Sequence, residues 1–510
     1  MDIRNRNSIQ AVKLNPPQEQ AKPLKRERSR LLGRSTSRDG LSVLFSAICI
    51  VDVFGVFPLI TLPKTIIDCG FYGIFVIVLV CSVQMYTAIL LGKCWKMAEQ
   101  ICPNINRGNR YPYSALAELA FGKHSSRYVT VLVDLTVFSG GIPNLIVASQ
   151  NLQLLGQRLT EGTFDVSFCY WILVLGTLLC PVLWIGSPKD MKVLCTVSVL
   201  IVSTVFLLIC GCLLLTPGAS NPETPASFET NLPLWQTLLL AYGIVAFQFD
   251  VHPTVLTIQM DMYDKSKLHL AVTWAFLASL SMFGVIAAIT VAKFGTTTQP
   301  SILETLTSSA PLHLAAGLVA LQLCLTSAVS NSALYQHMED CLNISPEFNY
   351  KRCVLRTILT IFAIVIAESV PRFDLVMSLI GGTLTGPLVF ILPPVFYIKI
   401  LHLHKNHEDA LVSASFTNVV LSEESEEETS LNLAKYYEHK FREEFKSTFD
   451  ISDIKCIDKN FEIIVCVIVI LGSFIATLIT TFLNFKNAAA SYSNFTRPCI
   501  YNISNALLYL

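Results

Sequence analysis

Apolar positions in this chain gather into long runs separated by short polar stretches. A helix that crosses a bilayer needs about 20 predominantly apolar residues. Eleven runs reach or approach that length: 41–62, 71–92, 128–150, 168–186, 192–215, 235–258, 268–294, 311–334, 354–370, 374–400 and 461–484. The ninth is the shortest, and "ESVPRFD" divides it from the tenth. The pattern predicts an all-α polytopic membrane protein with eleven transmembrane helices.

Two runs carry helix breakers. The first reads "ICIVDVFGVFPLITLP", with Gly55, Pro58 and Pro63, and the sixth reads "GIVAFQFDVHPTVLTIQ", with Gly243 and Pro253. Proline removes a backbone donor and clashes with the preceding turn. In lipid such a break stands only where neighbours or a water-filled cavity satisfy the freed groups. Interrupted spans at corresponding positions of two repeats point to a transporter site. The breaks lie five spans apart, so spans one to five and six to ten form two repeats. Five is odd, so the second is inverted, and span eleven is an addition. No obvious internal identity accompanies this symmetry.

Helix-end groups exposed at such breaks suit the carboxylate and ammonium of a small zwitterion. The candidate substrate-binding residues are Gly55, Phe57, Pro58, Asn144, Phe247, Phe249, Asp250 and Thr326. An ionisable residue inside a membrane is costly and marks function by default. Asp250 is placed to bind a substrate ammonium or to carry a coupling proton, and His252 to titrate near neutral pH. The alternative is that both lie at a wet interface and only cap helix ends. Asp52 and Asp134 are further acids inside spans. In span three, Ser139 and Asn144 flank Gly140 and Gly141, which suit close helix packing. In span eight, Gln322, Thr326, Ser327 and Asn331 fall on one stripe. Such a stripe either lines a pathway or joins helices. Gly381, Gly382 and Gly386 in span ten suit tight packing and a hinge.

Composition agrees with a membrane protein. The chain has 510 residues, 52% hydrophobic and 15% charged, with mean hydropathy +0.54, against about 25% charged in soluble domains. Net charge is zero, so no basic excess points to nucleic acid. The 16 cysteines form no CxxC pair and read as small buried side chains, so no metal site is expected. Cys69 and Cys499 fall outside the spans, where a disulfide between them is compatible with the topology but not fixed by it. With the N-terminus in the cytosol, 31 of the 37 Lys and Arg lie on the cytosolic side and 6 on the other. That asymmetry predicts a cytosolic N-terminus and a luminal or extracellular C-terminus.

The segments outside the core follow. Residues 1–40 read as a basic, disordered cytosolic tail without a signal peptide, 41–400 as the transport core, 401–460 as a cytosolic acidic loop, 461–484 as span eleven and 485–510 as a luminal tail. Within the tail, "ERSRLL" has the form of an acidic dileucine signal, Glu27 with Leu31 and Leu32, read by clathrin adaptors. The "SEESEEETS" run is a flexible linker or a phosphorylation segment at Ser422 or Ser425. Asn494 and Asn502 begin luminal glycosylation patterns, and Asn343 begins one on the cytosolic side, expected to be silent.

On these residues the chain resembles the amino acid/auxin permease family, and within it the vesicular inhibitory amino acid transporter group. "GVFPLITLPKTIIDCGFYG" is similar to the family's first-span pattern. Ala246-Phe247, His252 and Thr257-Ile258-Gln259 are similar to its sixth, and "SPKD" and "SLIGGTLTGPLVFILP" also match. The resemblance covers about residues 41–400 and 461–484. It implies a LeuT-like 5+5 inverted repeat and secondary transport of amino acids, with a proton gradient as the coupling source and no bound cofactor. The family usually has small residues at the sixth-span break, where Asp250-Val251 stands here, and Phe57-Pro58 is bulkier too. A negative charge there favours a cationic substrate or marks altered transport.

The expected function is therefore a secondary active transporter of a small amino acid, coupled to protons, in a vesicular or endolysosomal membrane. The alternative is an amino acid sensor on the same scaffold with little flux. An intramembrane enzyme using Asp250 and His252 finds no GxSxG or HExxH motif to support it.

Overall fold

The computed structural model describes residues 40–103, 105, 111–160, 166, 168–185, 191–218, 233–345, 348–369, 373–422 and 459–490. Glu27, Leu31, Leu32, Ser425, Cys499, Asn494 and Asn502 lie outside them. The described chain is almost wholly helical. The first expected span is three helices, α1 (Val43–Phe54), α2 (Phe57–Ile60) and α3 (Leu62–Cys69). There follow α4 (Phe71–Ile101), α5 (Pro112–Phe121), α6 (Lys123–Leu159), α7 (Phe168–Ile185) and α8 (Met191–Leu215). The sixth span is two helices, α9 (Leu234–Gln248) and α10 (His252–Asp261). Next come α11 (Leu268–Phe294), α12 (Ile302–Thr305), α13 (Ala310–Cys341), α14 (Tyr350–Ser369) and α15 (Phe373–Ile380). A π-helix over Gly381–Ile391 leads into α16 (Leu392–Ser422), and α17 (Lys459–Ala490) closes the series.

Among the described residues, eight helices are long and apolar enough to cross a membrane, with α9 and α10 counted together. The other three expected spans correspond to the broken α1–α3, to the 18-residue α7 and to the 20-residue α14. Large apolar side chains such as Phe71, Leu207 and Trp274 are exposed on outward faces, as lipid-facing positions are. Only 17% of the span of α17 is buried. It packs on the π-helix and α16 at the edge of the bundle.

Local chemistry sets the breaks. Ser42 caps α1 by accepting the Phe45 amide at 3.2 Å. The helix stops at Gly55, whose φ of 61° a side chain would resist. Pro58 then occupies the first turn of α2 and Pro253 that of α10, where a missing N–H costs nothing. Gly55, Pro58, Pro63 and Pro253 thus mark the divisions of both spans, whereas Gly243 does not break its helix: it lies inside α9, where it allows close packing on Ser378.

Glycines let neighbouring spans meet backbone to backbone. A Cβ on Gly381 would stand 1.8 Å from the Gly243 carbonyl oxygen, and one on Gly243 would stand 2.6 Å from that of Ser378. Gly382 and Gly386 face Thr480 and Thr477 of α17. Ser378 and Asn484 complete this seam: Asn484 Nδ2 donates to the Ser378 carbonyl at 2.9 Å and Ser378 Oγ to Asn484 Oδ1 at 3.1 Å.

Two expectations change. Residues 401–422, expected to open the acidic loop, continue α16 as helix, because no Gly or Pro interrupts them. Cys69 is a free, buried thiol whose Sγ lies 3.7 Å from the Thr237 carbonyl, so it is not half of a bridge. The disulfide-bonded cysteine among the described residues is Cys169, at the start of α7. Asn343 adopts φ 52° just after α13, a left-handed helix stop.

The close approach of α9 to the π-helix makes a direct prediction. Gly381→Val should destabilise the purified protein by about 1–3 kcal/mol in thermal unfolding. Gly211→Ala, where a Cβ meets nothing within 4 Å, should leave the unfolding midpoint unchanged or raise it.

Candidate functional site

The two breaks face each other across a cavity of about 100 Å³. Its walls come from the end of α1, α2, α6, the α9–α10 junction and α13. Polar lining groups are Thr136, Asn144, Gln248, Asp250, Thr254, Gln322, Thr326, Ser327, Ser330 and Asn331, with Phe54, Phe57, Phe247 and Leu323 among the apolar ones. At about 30 Å³ for each water, the space holds about three waters or a small solute. No lysine or arginine lines it.

Backbone groups freed at the breaks are met by side chains from other helices. Gln322 of α13, fully buried, accepts the Val56 amide through Oε1 at 3.4 Å. Its Nε2 donates to Thr326 Oγ1 at 2.7 Å and to Ser198 Oγ at 3.4 Å. A Cβ on Gly55 would sit 2.8 Å from that Nε2, so Gly55 serves both the turn and the close approach. At the second break, Gln84 of α4 donates to the Ala246 carbonyl at 2.9 Å. Asp250 Oδ1 accepts the His252 amide at 3.0 Å, capping α10. Gln248 Nε2 reaches Thr61 Oγ1 at 2.6 Å and ties one break to the other.

Of the residues singled out in the sequence, Gly55, Phe57, Asn144, Phe247, Asp250 and Thr326 line the cavity together. Phe57 and Phe247 meet edge to face, centroids 6.2 Å apart. Pro58 and Phe249 lie outside the lining. Pro58 is buried in the first turn of α2. Phe249 packs behind the wall, edge to face with Phe54 at 5.2 Å and stacked on Phe276 at 6.0 Å. His252 is fully buried; its Nε2 contacts Thr87 Oγ1 at 3.0 Å and its Nδ1 lies 3.6 Å from Asp250 Oδ1.

The polar stripe of α13 serves both purposes foreseen for it. Ser327 Oγ accepts from Asn144 Nδ2 at 2.9 Å, which joins α6 to α13, while both residues still face the cavity. Gln84, Thr87 and Gln248 were missed in the sequence. Gln248 Oε1 has no hydrogen-bond partner although the residue is 4% exposed and lines the cavity. With Asp250 it provides acceptors for an ammonium group. Asn331 and Ser327 provide donors for a carboxylate, whereas the Thr136 and Thr254 hydroxyls donate to the Leu132 and Val251 carbonyls of their own helices.

A larger cavity of about 550 Å³ lies between α3, α4 and α11. Ile66, Phe71, Ile74, Phe283 and Val291 line it. Its apolar walls suit hydrocarbon and not a zwitterion.

Gln322 should be structurally indispensable at the first break. Gln322→Leu removes the acceptor for Val56, and thermal unfolding should show a loss of about 1–3 kcal/mol. An unchanged midpoint would mean that water serves the break instead.

A family model described as "Transmembrane amino acid transporter protein" matches residues 42–422. The amino acid transporter AVT1C of Arabidopsis thaliana is 24% identical over 361 residues, 67% of this chain and 60% of that protein. AVT1I of the same plant is 23% identical over 378 residues, 68% of this chain and 83% of that protein. The vesicular inhibitory amino acid transporter of Xenopus tropicalis is 22% identical over 357 residues, 67% of each. The chain thus spans less than two thirds of AVT1C but most of AVT1I. Among solved structures, MhsT in complex with L-phenylalanine aligns with TM-score 0.49 and 12% identity, covering 72% of this chain and 97% of that one.

Proposed function

The chain belongs to the transmembrane amino acid transporter family, and on that premise we propose that it is a secondary active transporter of a small amino acid. Transport is coupled to protons and proceeds by alternating access around the α1–α2 and α9–α10 breaks. The observation that carries this is the pairing of both breaks around one small cavity with Asp250 on its wall. Asp250 and the unpartnered Gln248 Oε1 receive the ammonium. Hydroxyl and amide donors of α6 and α13 receive the carboxylate. The cavity size restricts the side chain, and Phe57 against Phe247 closes one wall.

Asp250 and His252 form the coupling pair: 3.6 Å separates His252 Nδ1 from the carboxylate. A proton on the imidazole turns that contact into an ion pair and changes the charge the substrate meets. The relatives carry transporter names, which supports transport over enzymatic chemistry.

A vesicular or endolysosomal membrane, with the N-terminus cytosolic and the C-terminus luminal, fits three features. The Xenopus relative is named a vesicular transporter. The Glu27/Leu31/Leu32 signal offers adaptors a handle. The disulfide-bonded Cys169 begins α7 on the side assigned to the oxidising compartment.

The test is uptake of tritiated common amino acids into proteoliposomes, with and without an imposed pH gradient. Gradient-stimulated uptake is expected. Asp250→Asn should weaken substrate binding about tenfold to a hundredfold, the worth of a hydrogen bond to a charged group. Binding without flux in the wild type would replace transport by sensing.

A further inference from the structure

We propose that Asp52 is a second proton-binding site, one that links protonation to the closed state of the α1 break; this rests on the proton-coupled reading above. Asp52 lies one turn before Gly55 on a membrane-embedded helix and is 1% exposed. Its carboxyl is hydrogen-bonded by Ser198 and Cys195 of α8. Oδ1 has no hydrogen-bond partner at all. Glu339 makes the contrast: it is 4% exposed but held by Arg356 at 2.7 Å and Arg352 at 3.3 Å. A buried acid so paired is a structural ion pair. A buried acid without a cation is stable only with its proton on, since an unpaired carboxylate in such surroundings is among the costliest groups to bury.

The surroundings of Asp52 hold no competing charge among the described side chains. The titratable groups turned toward it are the thiols of Cys49 and Cys195. The helices packed on α1 are α8, α10, α11 and α13. On α10, His252 is engaged with Thr87 and Asp250. On α11, Lys293 donates to the carbonyls of Leu213, Leu214 and Thr216. On α13, His337 is paired with Asp134.

A connected path runs from this carboxyl to the break. Ser198 hydrogen-bonds Asp52 and accepts from Gln322 Nε2 at 3.4 Å. Gln322 Oε1 in turn accepts the amide of Val56, the residue after the Gly55 turn. Loss of the proton leaves an anion that the closed packing cannot satisfy. Water must then reach Asp52, which requires α1 to part from α8. The same motion withdraws Ser198 from Gln322 and loosens the α1–α2 break. By linkage, the proton binds the closed arrangement more tightly and favours it to the same degree.

The experiment uses the full-length protein in proteoliposomes, an equimolar mixture of tritiated common amino acids and a trapped pH-sensitive dye. Counterflow exchange is read separately from accumulation driven by an imposed pH gradient. Asp52→Asn mimics the protonated form. It should keep exchange within about twofold of wild type, a difference of about 0.4 kcal/mol. Its gradient-driven accumulation should fall to the level seen without a gradient, and its substrate-linked pH change should vanish. Asp52→Glu should restore part of both. Ser198→Ala keeps the acid but removes a donor to its charged form, so the pH of half-maximal uptake should move up by about half a unit.

Wild-type-like accumulation by Asp52→Asn would overturn the assignment. A poorly folded Asp52→Asn leaves the decision to Ser198→Ala, whose unchanged pH profile would overturn it equally. Exchange without any gradient dependence in the wild type would mark failure of the proton-coupled reading itself, and this site would fall with it.

Discussion

Every interrupted helix in a membrane leaves backbone groups that lipid cannot satisfy, and this fold depends on supplying them from elsewhere. The supply comes mainly from glutamines on helices remote in sequence. Gln322 of α13 serves Val56, Gln84 of α4 serves Ala246, and Gln248 joins the two breaks through Thr61. Asp250 serves the start of α10 locally. The breaks therefore cannot be moved without moving α4 and α13. That makes the junction a mechanical centre as well as a cavity.

Packing around this centre is of two kinds. Where α9 crosses the π-helix, Gly243 and Gly381 bring backbones together with no side chain between them. In lipid such contacts take the place of a hydrophobic driving force. Elsewhere charged groups clamp the helix ends. Lys93 and Tyr397 both reach Glu462 at 2.5 Å, fixing α17 to α4 and α16. Lys265 reaches Glu99 at 2.6 Å, fixing the turn after α10 to α4. The polar cavity lies between these seams, on the surfaces of α6 and α13.

Much of the fold was legible because its signals are local. Apolar run length located the spans, and Gly55, Pro58 and Pro253 announced the breaks within a few residues of where they fall. Six of the eight substrate candidates line one cavity, and four of them, Gly55, Phe57, Phe247 and Asp250, stand beside a break. Phe249 and Pro58 were misread because adjacency to a break does not say which way a side chain turns, and Phe249 turns toward Phe54 and Phe276. Gln84 and Gln248 were invisible because a glutamine inside a span has no pattern of its own. Its partner lies on a different helix, 162 residues away for Gln84. The Cys169 disulfide was missed because pairing needs distances that spacing does not supply.

The central claim is that the amino acid occupies the space between the two breaks. Gly140 lines that space, and a Cβ added there meets only the Phe247 ring, at 3.9 Å. Gly140→Leu therefore fills the cavity without disturbing the helix packing. The measurement is equilibrium binding of tritiated amino acids to the purified protein, beside its thermal unfolding midpoint. Loss of binding with an unchanged midpoint is the predicted result. Wild-type binding by Gly140→Leu would place the substrate elsewhere and contradict the account.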